Sequence, residues 1–120
     1  MLFSTAWALF IFVLCATPGQ YIPTANWLEL LSFDKLVHAA IFFVLSAGLV
    51  LVALDRNLNS LYKSLLVALA IVYGASLEWM QANWFSHRSA DVLDIAANST
   101  GCAITWLLRF KIENWRSRAL

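Results

Sequence analysis

The residues best equipped for chemistry in this chain fall into three short runs. They are Asp34-Lys35-x-x-His38, Glu78-x-x-Gln81, and Arg88-x-x-Asp91-x-x-Asp94-x-x-x-Asn98. Glu78 and His38 suit proton exchange near neutral pH, one as a carboxyl tuned by burial, the other as an imidazole. Asp94 is placed to orient His38 or Arg88, which makes His38, Glu78 and Asp94 the candidate catalytic set. Arg88 and Lys35 match a phosphate or carboxylate in geometry and charge. Gln81 and Asn98 offer neutral hydrogen bonds, and Asp34 and Asp91 complete the candidate substrate-binding set. Four carboxylates against Lys35 and Arg88 leave two negative charges in excess before His38 is counted. Such a cluster calls for a proton on Glu78 or Asp94, or for a bound cation.

Each residue also has a plainer role. Asp34 and Asp91 fit as helix N-caps, and Lys35 as an anchor at the headgroup level. Asn98 and Thr105 fit interhelical hydrogen bonding. Gln81 fits a boundary position, and His87 a solvated loop. A divalent cation at His38, Glu78 and Asp94, with Asp91 alongside, is admissible as a mixed nitrogen and oxygen set. No HExxH, cysteine pair or diagnostic ligand spacing accompanies it, so no metal or other cofactor is assigned. Cys15 and Cys102 lie inside apolar runs and fit as buried, unlinked thiols. Neither Ser86 nor Ser89 sits in a glycine-flanked nucleophile elbow.

The elements that must position these groups are apolar. The chain has 120 residues, 62% of them hydrophobic and 12% charged, with a mean hydropathy of +0.73. Soluble domains carry about 25% charged residues, so lipid rather than water is the expected cover. A net charge of +1 without a basic run gives no footprint for nucleic acid. A crossing helix needs about 20 apolar residues. Four stretches approach that length, at about 2–17, 36–54, 61–81 and 91–110. The expected fold class is all-α: one polytopic membrane domain over 1–120, a four-transmembrane-helix bundle. The first stretch lacks a basic n-region and a small residue before Cys15, so it reads as a retained helix rather than a signal peptide. Between the first two stretches, Asn26 to Phe33 is too short to cross. It fits a short amphipathic helix lying along the interface, or an apolar loop.

Lysine and arginine in the short flanks set orientation. Arg56, Lys63, Arg109, Lys111, Arg116 and Arg118 flank one side, and Lys35 and Arg88 the other. Six against two places the N- and C-termini in the cytoplasm of a bacterial inner membrane and the chemical runs at the outer boundary. Trp27, Trp79 and Trp84 then fall in the outer aromatic belt, Trp106 and Trp115 in the inner one. Helical spacing puts the polar residues on shared faces. Asp34, His38, Leu45 and Gly48 form one stripe, Gly74, Glu78 and Gln81 a second, and Asp91, Asp94, Asn98, Gly101 and Thr105 a third. The small residues among them suit close helix approach, so the polar face is the expected packing face.

These runs, in this order around hydrophobic spans from Phe33 to Phe110, resemble the VanZ-like family. Its members are small bacterial membrane proteins related to a teicoplanin-resistance factor. The resemblance implies a cell-envelope setting and a possible link to glycopeptide resistance, and it supplies no reaction. The leading expectation is an outer-boundary site that binds or acts on a lipid-linked envelope or cell-wall precursor. Its partners are membrane lipids, such a precursor, or the glycopeptide itself. A small proton-coupled transporter is the alternative, disfavoured because the acids hug one boundary rather than mid-depth. A non-catalytic envelope-binding or assembly protein shares every feature with the enzyme, and the sequence does not separate the two.

Overall fold

The computed structural model describes residues 1–16, 27–84 and 91–119, with side chains in the second helix described from Asp34 onward. Within them the chain is all-helical. Helix α1 spans Leu2–Ala16, α2 Trp27–Asp55, α3 Ser60–Asn83 and α4 Val92–Ala119.

Two helices are long and apolar enough to cross a membrane: α2 over Asp34–Asp55, with mean hydropathy 2.5, and α3 over Ser60–Asn83, at 1.6. Helix α1 is apolar but shorter. Helix α4 carries Asp94 and Asn98 near its start and a basic last turn with Arg116 and Arg118. Large apolar side chains stand out from the bundle on several helices, among them Leu2, Leu9 and Val13 on α1, Leu65, Leu69 and Val72 on α3, and Leu107 on α4. A contiguous apolar exterior of this kind suits lipid or another protein far better than water.

The segment expected to form a separate interfacial helix does not. Trp27 to Phe33 forms the first two turns of α2, which runs unbroken to Asp55. Nothing in that stretch interrupts the backbone: it has no proline and no glycine before Gly48, and Leu, Glu, Lys and Ala favour helix. The other boundaries sit within a few residues of expectation. Helix α4 is the exception, continuing nine residues past Phe110 to Ala119.

The helices alternate in direction. At one end Arg56 reaches the Met1 sulfur, Lys63 pairs with Glu113 at 2.8 Å, and Arg116 pairs with Asp55 at 2.8 Å. The start of α1, the α2–α3 connection and the end of α4 therefore share that end. The connection is capped at both sides. Asn57, at φ 53°, occupies the left-handed position after α2, with Leu58 N–H on Ala53 O and Asn57 N–H on Leu54 O. Asn59 Oδ1 accepts Tyr62 N–H to start α3.

The core contains Ile11, Phe42, Leu45, Val50, Leu77 and Cys102. Cys15 and Cys102 are separate buried thiols, as their apolar surroundings imply. The tightest approach is between α2 and α4. A Cβ on Gly101 would run into the Ala39 carbonyl oxygen, so only glycine permits this packing. About two turns further along α2, Ser46 and Thr105 share a 2.7 Å hydrogen bond across the same interface. Polar ties that hold helix α1 include Trp7 Nε1 to Ile41 O, Tyr73 Oη to Ala8 O, and Gln81 Nε2 to Cys15 O.

Candidate functional site

At the opposite end of the bundle, the beginning of α2, the end of α3 and the beginning of α4 come together. Helix α4 brings its acids there because its buried stripe is Asp94, Asn98, Gly101 and Thr105, with Cys102 beside it. Helix α3 buries Gly74, Glu78 and Gln81. The polar faces legible in the sequence are thus the packing faces.

Lys35 is the centre of this meeting. Its Nζ donates to Asp91 Oδ2 at 2.7 Å and to Asp94 Oδ1, and lies 3.4 Å from Asp34 Oδ2. One ammonium thus joins α2 to the start of α4 through the two carboxylates of Asp91 and Asp94. The Lys35 side chain is 21% exposed, so water screens these bonds only in part.

His38 stands one turn further in. Its Nδ1 is 3.0 Å from Asn98 Oδ1. With the Asn98 carbonyl as acceptor, Nδ1 carries the hydrogen and Nε2 is turned toward acids. That Nε2 is 3.5 Å from Asp34 Oδ1 and 3.8 Å from Asp94 Oδ2. Asn98 is 3% exposed, and its amide also limits the space beside Gly74 on α3. It therefore locks the imidazole from behind.

Glu78, 1% exposed, is the most deeply buried acid of the set. Its Oε2 accepts the Asp91 backbone N–H at 3.1 Å. Asp91 in turn caps α4 by accepting the Leu93 N–H through Oδ1 at 2.8 Å, while its other oxygen serves Lys35. Asp91 is thus a helix cap through one carboxylate oxygen and a partner of Lys35 through the other. Glu78 thereby fixes where α4 begins, and among the described residues no hydrogen bond joins it directly to His38.

Of the residues expected at the site, Asp34, Lys35, His38, Asp91, Asp94 and Asn98 meet directly, and Glu78 joins them through the Asp91 amide. Gln81 is turned to α1, on the Cys15 carbonyl. Arg88 and His87 lie outside the described residues. Sequence reasoning missed Ser46 as the partner of Thr105; its position eight residues after His38 is the signal that would have found it. It also missed that Asp34, rather than Glu78, accompanies His38 and Asp94 in the group that, among the described residues, brings its ligand atoms within 4.8 Å of one another.

Among the described residues the arrangement presents more negative than positive charge: Asp34, Asp91 and Asp94 surround the Lys35 ammonium, and Glu78 adds a fourth carboxyl on the Asp91 amide. Lys35 is therefore not free to hold an anion without releasing its acids. Comparison of the chain with protein-family models, with curated proteins and with solved structures finds no match.

Proposed function

We propose that this chain is a VanZ-like integral membrane protein of the bacterial inner membrane. In this reading all four helices span, both termini are cytoplasmic, and the polar cluster lies at the outer boundary. There it binds a cell-envelope lipid or lipid-linked cell-wall precursor, and any effect on glycopeptide (teicoplanin) susceptibility follows from that binding. One observation carries the reading: six ionisable side chains from three helices converge at one end of a bundle that exposes large apolar side chains on several of its helices. Ionisable groups near hydrocarbon are costly, and they are retained where they work.

Within this reading the ligand group that fits the described cluster is a donor, such as a hydroxyl, amide or amine, because the acids outnumber the cation. Binding is favoured over catalysis by the way each expected catalytic group is engaged. Glu78 holds the Asp91 amide and His38 holds Asn98. Native mass spectrometry of the protein extracted from a bacterial membrane tests the function. A co-purifying envelope lipid that is lost in His38→Ala and Asp94→Asn supports it. Retention in both variants, or the absence of any bound lipid in the wild type, contradicts it. Lipid retained by Glu78→Gln together with loss of a chemical product would instead favour an enzyme.

A further inference from the structure

We propose that Asp34, His38 and Asp94 hold a divalent metal ion of the zinc or manganese class, through Asp34 Oδ1, His38 Nε2 and Asp94 Oδ2. The ion does not depend on the envelope ligand proposed above, and its test is read without any lipid.

The first argument is distance. A hydrogen bond from imidazole to carboxylate spans about 2.7–3.2 Å. Nε2 stands 3.5 and 3.8 Å from the two carboxylate oxygens, and one ligand atom from each of the three residues lies within 4.8 Å of the others. Donors bound to one ion at about 2.0–2.2 Å are separated by roughly 3–4 Å. The two Nε2–oxygen distances are too long for a hydrogen-bonded imidazolium and match ligands around a shared cation.

The second argument is orientation. Metal-bound histidines almost always donate their other ring N–H to a fixed acceptor. Asn98 Oδ1, buried and 3.0 Å from Nδ1, is that acceptor. It leaves the Nε2 lone pair aimed between the two acids.

The third concerns the remaining oxygens. Lys35 takes the opposite oxygen of each carboxylate, Asp34 Oδ2 and Asp94 Oδ1. It therefore pins both ligands in place while leaving Asp34 Oδ1 and Asp94 Oδ2 to the imidazole side. Glu78 is outside the set because its Oε2 serves the Asp91 amide.

Charge points the same way. Two carboxylates and a neutral imidazole neutralise a divalent ion, which eases the surplus of acid at a poorly solvated helix end. Asp34 is 46% exposed, which provides an entry route. An ion there would also present the positive charge that Lys35 cannot offer a phosphate-bearing headgroup.

The experiment uses the full chain in detergent micelles or nanodiscs, stripped with a chelator and titrated with zinc, manganese or cobalt salts alone. The proposal expects one ion per chain, with X-ray absorption of the zinc form showing a single imidazole nitrogen among oxygens. His38→Ala and Asp34→Asn should each weaken binding by about 100-fold or more, and Asn98→Ala by about 10–100-fold. Glu78→Gln should weaken it less than about tenfold, since that residue is not a ligand. No bound ion, a shell of oxygen alone, or undiminished affinity in His38→Ala overturns the proposal. The wild-type spectrum decides even if a variant fails to fold. Failure here leaves the lipid-retention result standing.

Discussion

Lys35 contributes more than any other single residue to holding the site together, because one ammonium satisfies acids from two helices. Removing it leaves Asp91 and Asp94 facing one another without a cation. Lys35→Met should therefore destabilise the protein by about 1–3 kcal/mol, less than the figure for a fully buried pair because water reaches the cluster. Combining it with Asp94→Asn should recover part of that loss. Thermal unfolding of the single and double variants in detergent measures the coupling, and strictly additive losses would show that the pair does not interact. Gly101 makes a different kind of contribution. Its missing Cβ lets the α4 backbone lie against the Ala39 carbonyl, which has no freedom to retreat. Gly101→Ala should cost about 1–3 kcal/mol or more, by forcing the helices apart. Gly74→Ala meets the Phe42 ring edge at 2.9 Å, a side chain that can shift, so it should cost less. Equal losses in the two variants would contradict this account of the α2–α4 approach.

At the scale of the helix, two features bear on stability without touching the cluster. Asn57 holds a left-handed conformation in the turn between α2 and α3. Glycine adopts that conformation without strain, so Asn57→Gly should be neutral or stabilise by up to about 1 kcal/mol, whereas Asn57→Val should destabilise. Thr105→Val removes a hydroxyl from the α2–α4 seam but leaves Ser46 its bond to Phe42 O. Hydrogen bonds of this kind contribute about 0.6 kcal/mol on average between membrane helices, so a modest loss is expected. The helices and the polar faces were legible in the sequence because Asp94, Asn98, Gly101 and Thr105 keep the three-four spacing that one helix face demands. The fusion of Trp27–Phe33 with α2 was not. Length argued that those residues could not cross, but nothing local to them ends a helix. The extension of α4 to Ala119 was hidden for a related reason. Apolar content marks where lipid should stop, whereas this helix goes on, tied by Glu113 to Lys63 and by Arg116 to Asp55. Partners across helices were the least legible. Periodicity fixes which face a residue occupies, and it does not say that Lys35 meets Asp94, or that Glu78 holds a backbone amide.

For the whole molecule, the basic end and the acidic end are opposite poles of one bundle. Asp55, Arg56, Lys63, Glu113 and Arg116 gather at one, and Asp34, Lys35, His38, Glu78, Asp91 and Asp94 at the other. A crevice of about 420 Å³ is apolar and lies elsewhere, among Met1, Ala8, Leu45, Leu49, Leu69 and Tyr73. Its lining offers few polar groups, whereas the ionisable side chains of the cluster are at the pole. If all four helices span, a cysteine at Asn57 and one at Arg118 label from the same, cytoplasmic side. Labelling from opposite sides would mean that α4 does not cross back beside α3, which contradicts both the four-span reading and the pairing of Arg116 with Asp55. Impermeant maleimide applied to right-side-out and inverted vesicles, on a background without Cys15 and Cys102, separates the two topologies.

The convergence of α2 and α4 around Lys35 is open to zero-length carbodiimide cross-linking of the protein in native membranes, followed by peptide mass spectrometry. Lys63 and Glu113, paired at 2.8 Å at the far end, supply the internal control. An amide bond from Lys35 to Asp91 or Asp94, formed alongside the Lys63–Glu113 link, is the predicted result. A Lys63–Glu113 link with none from Lys35 to α4 or to Asp91 would mean that the helix ends do not meet, and that the polar residues share no site.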